Sequence, residues 1–589
     1  MSKLVDQVLD YKDKHLSHSQ FTAIISALIG LVVGLVAVVI KNLVYFIQSL
    51  LKSDSLSSFN HYLYFVLPII GILLAVLFVK FIIKLPVGHG IPSVLYAIAE
   101  TRGFIKLHNL FSSIVTSVLT VGFGGSVGLE GPTVATGAAY GSAISNALRM
   151  PYKQVILLLG ASSAAAMSAI FKAPLTGVVF AMEVIMIDLT VSSVIPLIIA
   201  SVTAILTSYF FMGTEVLYHF NIKELYSFRD IPFFVLLGIF TGLISVYFTK
   251  VYIFTHKFFE RFNSYLTKAL IGGVLIGALL YVFPALYGEG YEVINEALQG
   301  KSELIYSTSI LSIFGDNHYM VFVIMLIVIL LKAFATSFTF TAGGVGGIFA
   351  PTLFNGSILG LLFAMFFSSF GVNLSFSNFA LAGMAGTIAG VLQAPLTAIF
   401  LIAEISGGYE LLMPLMLVSL VSYLTSNIFI KNSVYTYQLA ERGHLLTHHK
   451  DKNILKMMDV DSLIETNFKV IKSGQYLRDL VEVIQESNRN LFPVVDEDNL
   501  FKGMVSMEDV RKIIFKPQLY DEVLVDKLMV QPTVTVKPNE TMSDIASKLH
   551  KTSMYNIPVL DDNGRYLGFV SRANVFSEYR KLLKDFSED

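Results

Sequence analysis

From Phe21 to about Ile430 the chain is a near-continuous series of hydrophobic segments. A helix that crosses a bilayer needs about 20 apolar residues. Phe21–Ile40, Tyr64–Ile83, Phe234–Val251 and Tyr319–Phe334 meet or approach that length. The rest of the composition agrees. Only 14% of residues are charged, against about 25% in an ordinary soluble protein. Mean hydropathy is +0.67. These values exclude a soluble enzyme, a disordered chain and a fibrous one, and define an integral membrane protein. The formal net charge of -1 excludes a globally basic nucleic-acid binder, and no nucleic-acid partner is expected. With no cysteine, disulfides, thiolate metal sites and a cysteine nucleophile are excluded too. Residues 1–20 are polar and mixed in charge, with no small-residue cleavage pattern, so no cleaved signal peptide is expected there.

Several apolar segments are short and broken by Gly and Pro: Val121–Pro132, Ala173–Met186, Ala342–Pro351 and Ala394–Ile405. At membrane depth, interrupted segments are tolerated only where they are buried in protein or line a cavity. In transporters they point to the substrate site. They also repeat. Gly124–Thr133 lines up with Gly343–Thr352 at an offset of 219, and Gly137 and Gly141 then meet Gly356 and Gly360. Ala173–Thr176 recurs as Ala394–Thr397, and Glu183 meets Glu404, at an offset of 221. The membrane domain is therefore a two-fold repeat, and an odd number of spans per half would invert it. The expected fold is an all-α polytopic membrane domain with an inverted two-fold repeat and broken helices, followed by a soluble α/β domain. The expected boundaries are a cytoplasmic segment at 1–20 and a membrane domain at 21–440, with halves at about 21–215 and 230–440. A linker at 441–455 follows, holding His444, His448 and His449 as solvated residues rather than a metal site. The tail at 456–589 divides at about 456–516 and 525–589.

In Gly124–Thr133 the glycines free the backbone to turn its N–H groups inward, and a proline stands where a helix is expected to begin. An apolar helix from Val134 to Leu148 is expected to follow. The free N–H groups and the positive end of the helix dipole attract an anion. The repeat builds a second such end at Gly343–Pro351. Neither motif contains Lys or Arg, which suits an ion that must also leave. Between Leu107 and Tyr152 the only charged residues are Glu130 and Arg149. A carboxylate at membrane depth is a functional hypothesis by default. At a helix N-terminus Glu130 can occupy the anion site itself and leave it when protonated, which makes it a gate and a proton carrier. The bland alternative is a carboxylate that only caps the helix. Its repeat partner, Phe349, is apolar.

Gly88-His89-Gly90-Ile91-Pro92 resembles the G-S-G-I-P motif of the CLC family of chloride channels and chloride/proton exchangers. Gly128-Leu129-Glu130-Gly131-Pro132 resembles its G-[RK]-E-G-P, with Leu129 in place of the basic residue. Gly347-Ile348-Phe349-Ala350-Pro351 resembles its G-x-F-x-P. The resemblance covers essentially the whole chain. It implies a homodimer with one anion pore per subunit, and chloride as the transported ion. It implies anion contacts at His89, Gly131, Ile348, Phe349 and Tyr435, with Glu130 as the gating glutamate. Tyr437 competes with Tyr435 for the tyrosine that reaches the anion. Two departures stand out. His89 replaces the usual serine, so it could donate N–H to an anion, gain charge at low pH, or turn away. Val184 stands where exchangers usually carry an inner proton-transfer glutamate. Glu183 is adjacent but points about 100° away on a helix, and its partner Glu404 suggests a structural role for the pair. Glu130, Glu183 and Val184 are thus the positions on which a proton path depends.

The tail repeats at an offset of 65: Phe492-Pro493-Val494 answers Ile557-Pro558-Val559, and Gly503–Ser506 answers Gly568–Ser571. Each unit reads as strand, helix, two strands, helix. Phe468–Ile471 and Thr533–Val536 are the expected first strands, and Leu477–Ser487 and Met542–Leu549 the amphipathic helices. The tail resembles a pair of CBS domains, which implies ATP or another adenine nucleotide in the cleft between repeats. Asp509 fits the ribose-binding carboxylate, Asn574 replaces it in the second repeat, and Thr533 and Thr535 are placed on a cleft-lining strand. A dimerisation module without ligand is the alternative. The nucleotide module belongs in the cytosol, and Lys431, Arg442 and Lys450 flank the last span on that side. A prokaryotic plasma membrane with both termini cytoplasmic is expected.

The favoured function is passive chloride conduction gated by Glu130. Chloride/proton exchange by a non-standard proton path is the alternative, and Val184 is the feature that divides them. A fluoride transporter is kept open by His89. A divalent-cation transporter needs several carboxylates, and the repeated motifs hold one. A nucleotide sensor anchored by its membrane part does not need a duplicated architecture of broken helices. No catalytic constellation supports an enzyme.

Overall fold

The computed structural model describes residues 6–7, 10, 14–51, 60–88, 90–185, 191–213, 226–310, 318–407, 409–441, 455, 458–552 and 554–587. His89 and the linker histidines His444, His448 and His449 lie outside them. The chain divides into two compact units, Met1–Leu445 and Leu446–Asp589.

The first unit is all helical. Its first half holds α1 (His18–Leu51), α2 (Asn60–Phe78), α3 (Ile91–Glu100), α4 (Ser112–Gly122), α5 (Glu130–Ala147), α6 (Tyr152–Phe171), α7 (Pro174–Glu183) and α8 (Val191–Met212). The second holds α9 (Ile231–Glu260), α10 (Tyr265–Val282), α11 (Tyr291–Leu298), α12 (Glu303–Ser307), α13 (His318–Thr341), α14 (Phe349–Ser368), α15 (Phe376–Leu392), α16 (Pro395–Ile405), α17 (Leu412–Phe429) and α18 (Val434–Glu441). Among the described residues nine helices are long and apolar enough to cross a membrane, while α3, α4, α7, α15 and α16 are shorter.

The halves are built alike. Helix α5 packs on α6 as α14 packs on α15, and α1 packs on α8 as α9 packs on α17. The helix breaks match as well. Gly124 ends the run from α4 at φ +98, and Gly343 ends the run from α13 at φ +96, a conformation that favours glycine. Helices α6 and α15 both stop at a left-handed cap, Lys172 and Gln393. The proline expected to open each re-entrant helix is its third residue, not its first, because α5 begins at Glu130 and α14 at Phe349. The substitution is free of cost there, since the first N–H groups of a helix have no partner within it.

Three sets of reciprocal bonds tie the halves together. Gly128 and Gly347 exchange backbone bonds of 2.9 and 2.7 Å in an isolated antiparallel bridge. The Ser126 N–H donates to Thr339 Oγ1 at 3.2 Å, and the Val345 N–H to Thr120 Oγ1 at 3.1 Å. The third set closes α7 on α16. Glu183 accepts from the N–H groups of Leu396 (3.0 Å) and Thr397 (2.7 Å) and from the Thr397 hydroxyl (2.7 Å). Glu404 accepts from Leu175 (3.0 Å), Thr176 (2.8 Å) and the Thr176 hydroxyl (2.6 Å). Contacts that exchange residues at a constant offset require a local two-fold axis. Antiparallel chains at that axis run the two halves in opposite directions, which is the inverted repeat.

The second unit holds two three-stranded sheets, in the order β1-β6-β5 and β2-β3-β4. Its elements are β1 (Ile464–Glu465), β2 (Ile471–Lys472), α19 (Leu477–Gln485), β3 (Leu491–Val495), β4 (Phe501–Ser506), α20 (Met507–Val510), α21 (Met542–Thr552), β5 (Asn556–Leu560), β6 (Tyr566–Ser571) and α22 (Arg572–Ser587). The hairpins share one register: Leu491 faces Ser506 as Asn556 faces Ser571, and each has its irregularity at the same place. The inward residues Phe492, Val494 and Val505 have their counterparts in Ile557, Val559 and Val570, all fully buried. The first strands are shorter than expected. Only Ile471–Lys472 pairs in the first repeat, and in the second only Val536 does, bridging Val559. Thr533 lies in a bend and Thr535 in irregular chain, so neither is on a strand.

Candidate functional site: a buried carboxylate between two helix N-termini

The Gly128–Gly347 bridge brings the starts of α5 and α14 together. Glu130, the first residue of α5, is completely buried. Its Oε1 accepts the Tyr291 hydroxyl at 3.0 Å. Its Oε2 has no hydrogen-bond partner among the described residues and packs into space that two missing side chains leave. A Cβ on Gly128 would stand 2.0 Å from that oxygen, and one on Gly347 would stand 3.0 Å from it. The carboxylate thus sits between the repeated motifs.

Beside it lies a cavity of about 10 Å³, lined by Gly131, Gly346, Gly347, Ile348, Tyr252 and Tyr435 among others. That volume is close to the minimum that admits one water. The Tyr435 side chain is 3% exposed, and its hydroxyl has no hydrogen-bond partner among the described residues. A buried donor left without a partner is costly, and here it lies at a cavity. Tyr437 does not line the cavity; its ring lies 6.0 Å from Lys257 Nζ. Phe349 is fully buried, with its ring 6.0 Å from Phe171 and 5.9 Å from Phe180. Of the residues singled out from the sequence, the fold therefore gathers Glu130, Gly131, Ile348, Phe349 and Tyr435. His89 is outside the described residues, although Ile91 and Pro92 line the cavity.

Val184 and Glu183 lie elsewhere. Val184 caps the C-terminus of α7 and is buried, and both Glu183 oxygens are taken up by the start of α16. Besides Tyr291, three residues that the sequence did not mark are placed near the site. Tyr252 comes from the middle of the apolar helix α9. Glu289, in the turn before α11, accepts the Leu129 N–H at 3.2 Å. Lys332, in α13, is fully buried, donates to the carbonyls of Leu286 (3.3 Å) and Gly288 (3.2 Å), and lies 4.5 Å over the Phe354 ring. A lysine inside an apolar run was the available signal for Lys332; nothing local marks Tyr252.

In the tail, Asn574 lines a cleft of about 470 Å³ with Thr466, Asn467, Arg489 and Ser571. Arg489 donates to Glu465 at 2.7 Å and to Asn467 at 2.8 Å, and stacks 4.7 Å over Phe468. The Ser571 hydroxyl donates to the other Glu465 oxygen. Asp509 caps its own helix, accepting from the Ser506 N–H (2.9 Å) and hydroxyl (2.6 Å). Thr533 and Thr535 are not among the residues lining this cleft.

An inverted repeat of broken helices, with facing N-termini around a buried carboxylate, defines an anion-transport architecture. The chain belongs to the voltage-gated chloride channel family, whose model matches residues 71–427, and two CBS domains match residues 460–516 and 525–581. It is a CLC-type anion transporter. A putative chloride channel protein ClcB-like from Ralstonia nicotianae is 29% identical over 382 residues, covering 63% of this chain and 84% of the relative. The H(+)/Cl(-) exchange transporter ClcA of Salmonella typhi is 28% identical over 440 residues, covering 70% and 87%. Among solved structures, a slow cyanobacterial Cl-/H+ antiporter superposes with a TM-score of 0.60 at 23% identity, covering 72% of this chain and 98% of that one. A eukaryotic CLC transporter covers 94% of this chain and 97% of its own, with a TM-score of 0.57 at 18% identity. These structural likenesses concern the fold.

Proposed function

We propose that this protein conducts chloride passively across a membrane, with Glu130 as the gate. The observation that carries the reading is the state of α7. Position 184 is valine, and the neighbouring carboxylate of Glu183 is committed to three hydrogen bonds at the start of α16. Neither can pass a proton inward from Glu130. The anion is held by the N-terminal ends of α5 and α14, through Gly131, Ile348 and Phe349, and by the Tyr435 hydroxyl. The protein works as a homodimer with a cytoplasmic tail in a plasma membrane, and adenine nucleotide binds the tail cleft at Asn574. Nucleotide can bias the pore only through unequal affinity for its two states.

The test is chloride efflux from proteoliposomes with external pH recorded at the same time. Efflux under a potassium shunt without coupled proton movement is expected, and Glu130→Gln is expected to conduct at every pH. Uphill proton movement driven by a chloride gradient would establish exchange, as the ClcA relatives' names describe, and would sink the channel reading.

A further inference from the structure

The gate carboxylate is sealed from solvent, so its protons need a route. Glu130 is 0% exposed, and the group bonded to its Oε1 is the Tyr291 hydroxyl at 3.0 Å. Tyr291 also stands against the Glu289 carboxyl. Glu289 is only partly buried. Its carboxyl is held in place by the Leu129 N–H at 3.2 Å, from the residue just before the gate. The turn that carries Glu289 is bolted to the Gly-rich motif: the Gly288 N–H donates to the Gly124 carbonyl at 3.2 Å, and the Ser126 hydroxyl to the Leu286 carbonyl at 2.7 Å.

A phenol has one hydrogen to donate. Since Tyr291 donates it to Glu130, a bond between Tyr291 and Glu289 requires the second carboxyl to be the donor. A proton on Glu289 lets that carboxyl donate to the Tyr291 oxygen, which links the three groups in one chain. Lys41 from α1 and Lys332 from α13 face this pair electrostatically, and Tyr435 from α18 faces Glu130. Lys41 is anchored on the Ile170 carbonyl at 2.5 Å, and Lys332 on the carbonyls of Leu286 and Gly288. Both amino groups are thus held near the pair.

We propose that Glu289 and Tyr291 form a proton relay that loads and unloads Glu130 from the aqueous side that Glu289 reaches. The inference rests on the reading of Glu130 as the gate. In the loading step the Glu289 O–H bond breaks and its proton passes to Tyr291 Oη. The Tyr291 proton passes to Glu130 Oε1, where an O–H bond forms. Tyr291 ends with one hydrogen, as it began, and Glu289 regains its proton from water. Protonated Glu130 leaves its seat between the helix ends.

The experiment is chloride flux through proteoliposomes after a rapid pH step, applied to each face in turn. The wild-type protein is expected to respond to acid on one face. Glu289→Gln keeps an acceptor for the Leu129 N–H but cannot relay, and Tyr291→Phe keeps the Glu289 charge but breaks the chain. Both are expected to respond about tenfold more slowly or worse, with steady flux at acid pH retained as the sign of correct folding. Glu289→Asp, which keeps the carboxyl, is expected to respond at an intermediate rate and serves if Glu289→Gln does not fold. A wild-type flux blind to pH, or a pH response that survives Glu130→Gln, overturns the gate reading itself. With that reading intact, a wild-type rate of response in either Glu289→Gln or Tyr291→Phe overturns the relay.

Discussion

Gly128 has no room for a side chain. A Cβ there would meet Glu130 Oε2 at 2.0 Å and Ala350 Cβ at 2.9 Å. The end of a flexible carboxylate yields before a packed helix does, so Gly128→Ala is expected to push Glu130 out of its seat rather than unfold the protein. Weakening the seat by about 1.4 kcal/mol raises the open fraction about tenfold. Chloride flux at neutral pH is therefore expected to rise and its pH dependence to flatten; a variant slower than wild type at every pH would contradict this. In the tail, Asp526 accepts the Ser473 hydroxyl at 2.5 Å and the Gly474 N–H at 2.6 Å. These bonds hold its carboxyl below the usual carboxylate value, the Ser473 hydroxyl contributing most. A depressed value stabilises the fold above the unfolded-state value and loses that contribution as pH falls through the folded one, here below about pH 4. Asp526→Asn is expected to make the tail of the full-length protein more open to pepsin at pH values where the wild type resists, with the difference vanishing in stronger acid. Equal digestion throughout would show that the bonds contribute nothing.

Helices α7 and α16 are short, and each carries in its last turn the carboxylate that caps the other's beginning. Hydrogen bonds to a charged group contribute about 1.5–3 kcal/mol, and the helix dipole adds to them. Glu183→Ala and Glu404→Ala are each expected to cost about 2–3 kcal/mol, nearly equally because the sites are related by the two-fold axis. Thermal unfolding in detergent measures this, and a large loss in one variant with none in the other would refute the clasp. The sequence already paired Glu183 with Glu404 by their offset. It could not show that each serves the other's helix, because a contact across more than two hundred residues leaves no local signature. The same holds for the tail strands. The alternation Thr533-Val534-Thr535-Val536 suggested a strand, but only Val536 finds a partner, since strand length is set by the neighbour available.

On the scale of the whole molecule, the cleft at Asn574 in the tail has a cation that is already engaged: Arg489 is paired with Glu465. A nucleotide's phosphates must compete with that carboxylate. Glu465→Gln is expected to tighten ATP binding to the full-length protein severalfold, by about 1 kcal/mol, and Asn574→Ala to weaken it, as read by calorimetry in detergent. No heat from ATP with any of the three proteins would leave the tail as an interaction module without nucleotide. At Asn574 an amide replaces the carboxylate that the motif of the first repeat carries at Asp509. The cleft's volume and its arginine depend on Arg489 arriving from the other repeat, which a motif cannot report.

The amino-acid sequence alone determined the membrane domain, its two-fold repeat, the Gly-rich helix starts, the carboxylate at Glu130 within the first of them and the paired tail. Each of these is written in composition, periodicity or a contiguous motif, where local physics suffices. Only the tertiary structure decided that Tyr435 rather than Tyr437 meets the cavity, that Tyr252 joins it, that Glu183 is committed to α16, and that Glu289 and Tyr291 stand beside the Glu130 segment. These are facts of packing between segments far apart in the chain. A buried polar group takes its role from whichever partners the fold brings within hydrogen-bond reach, and those partners are not encoded at its own position.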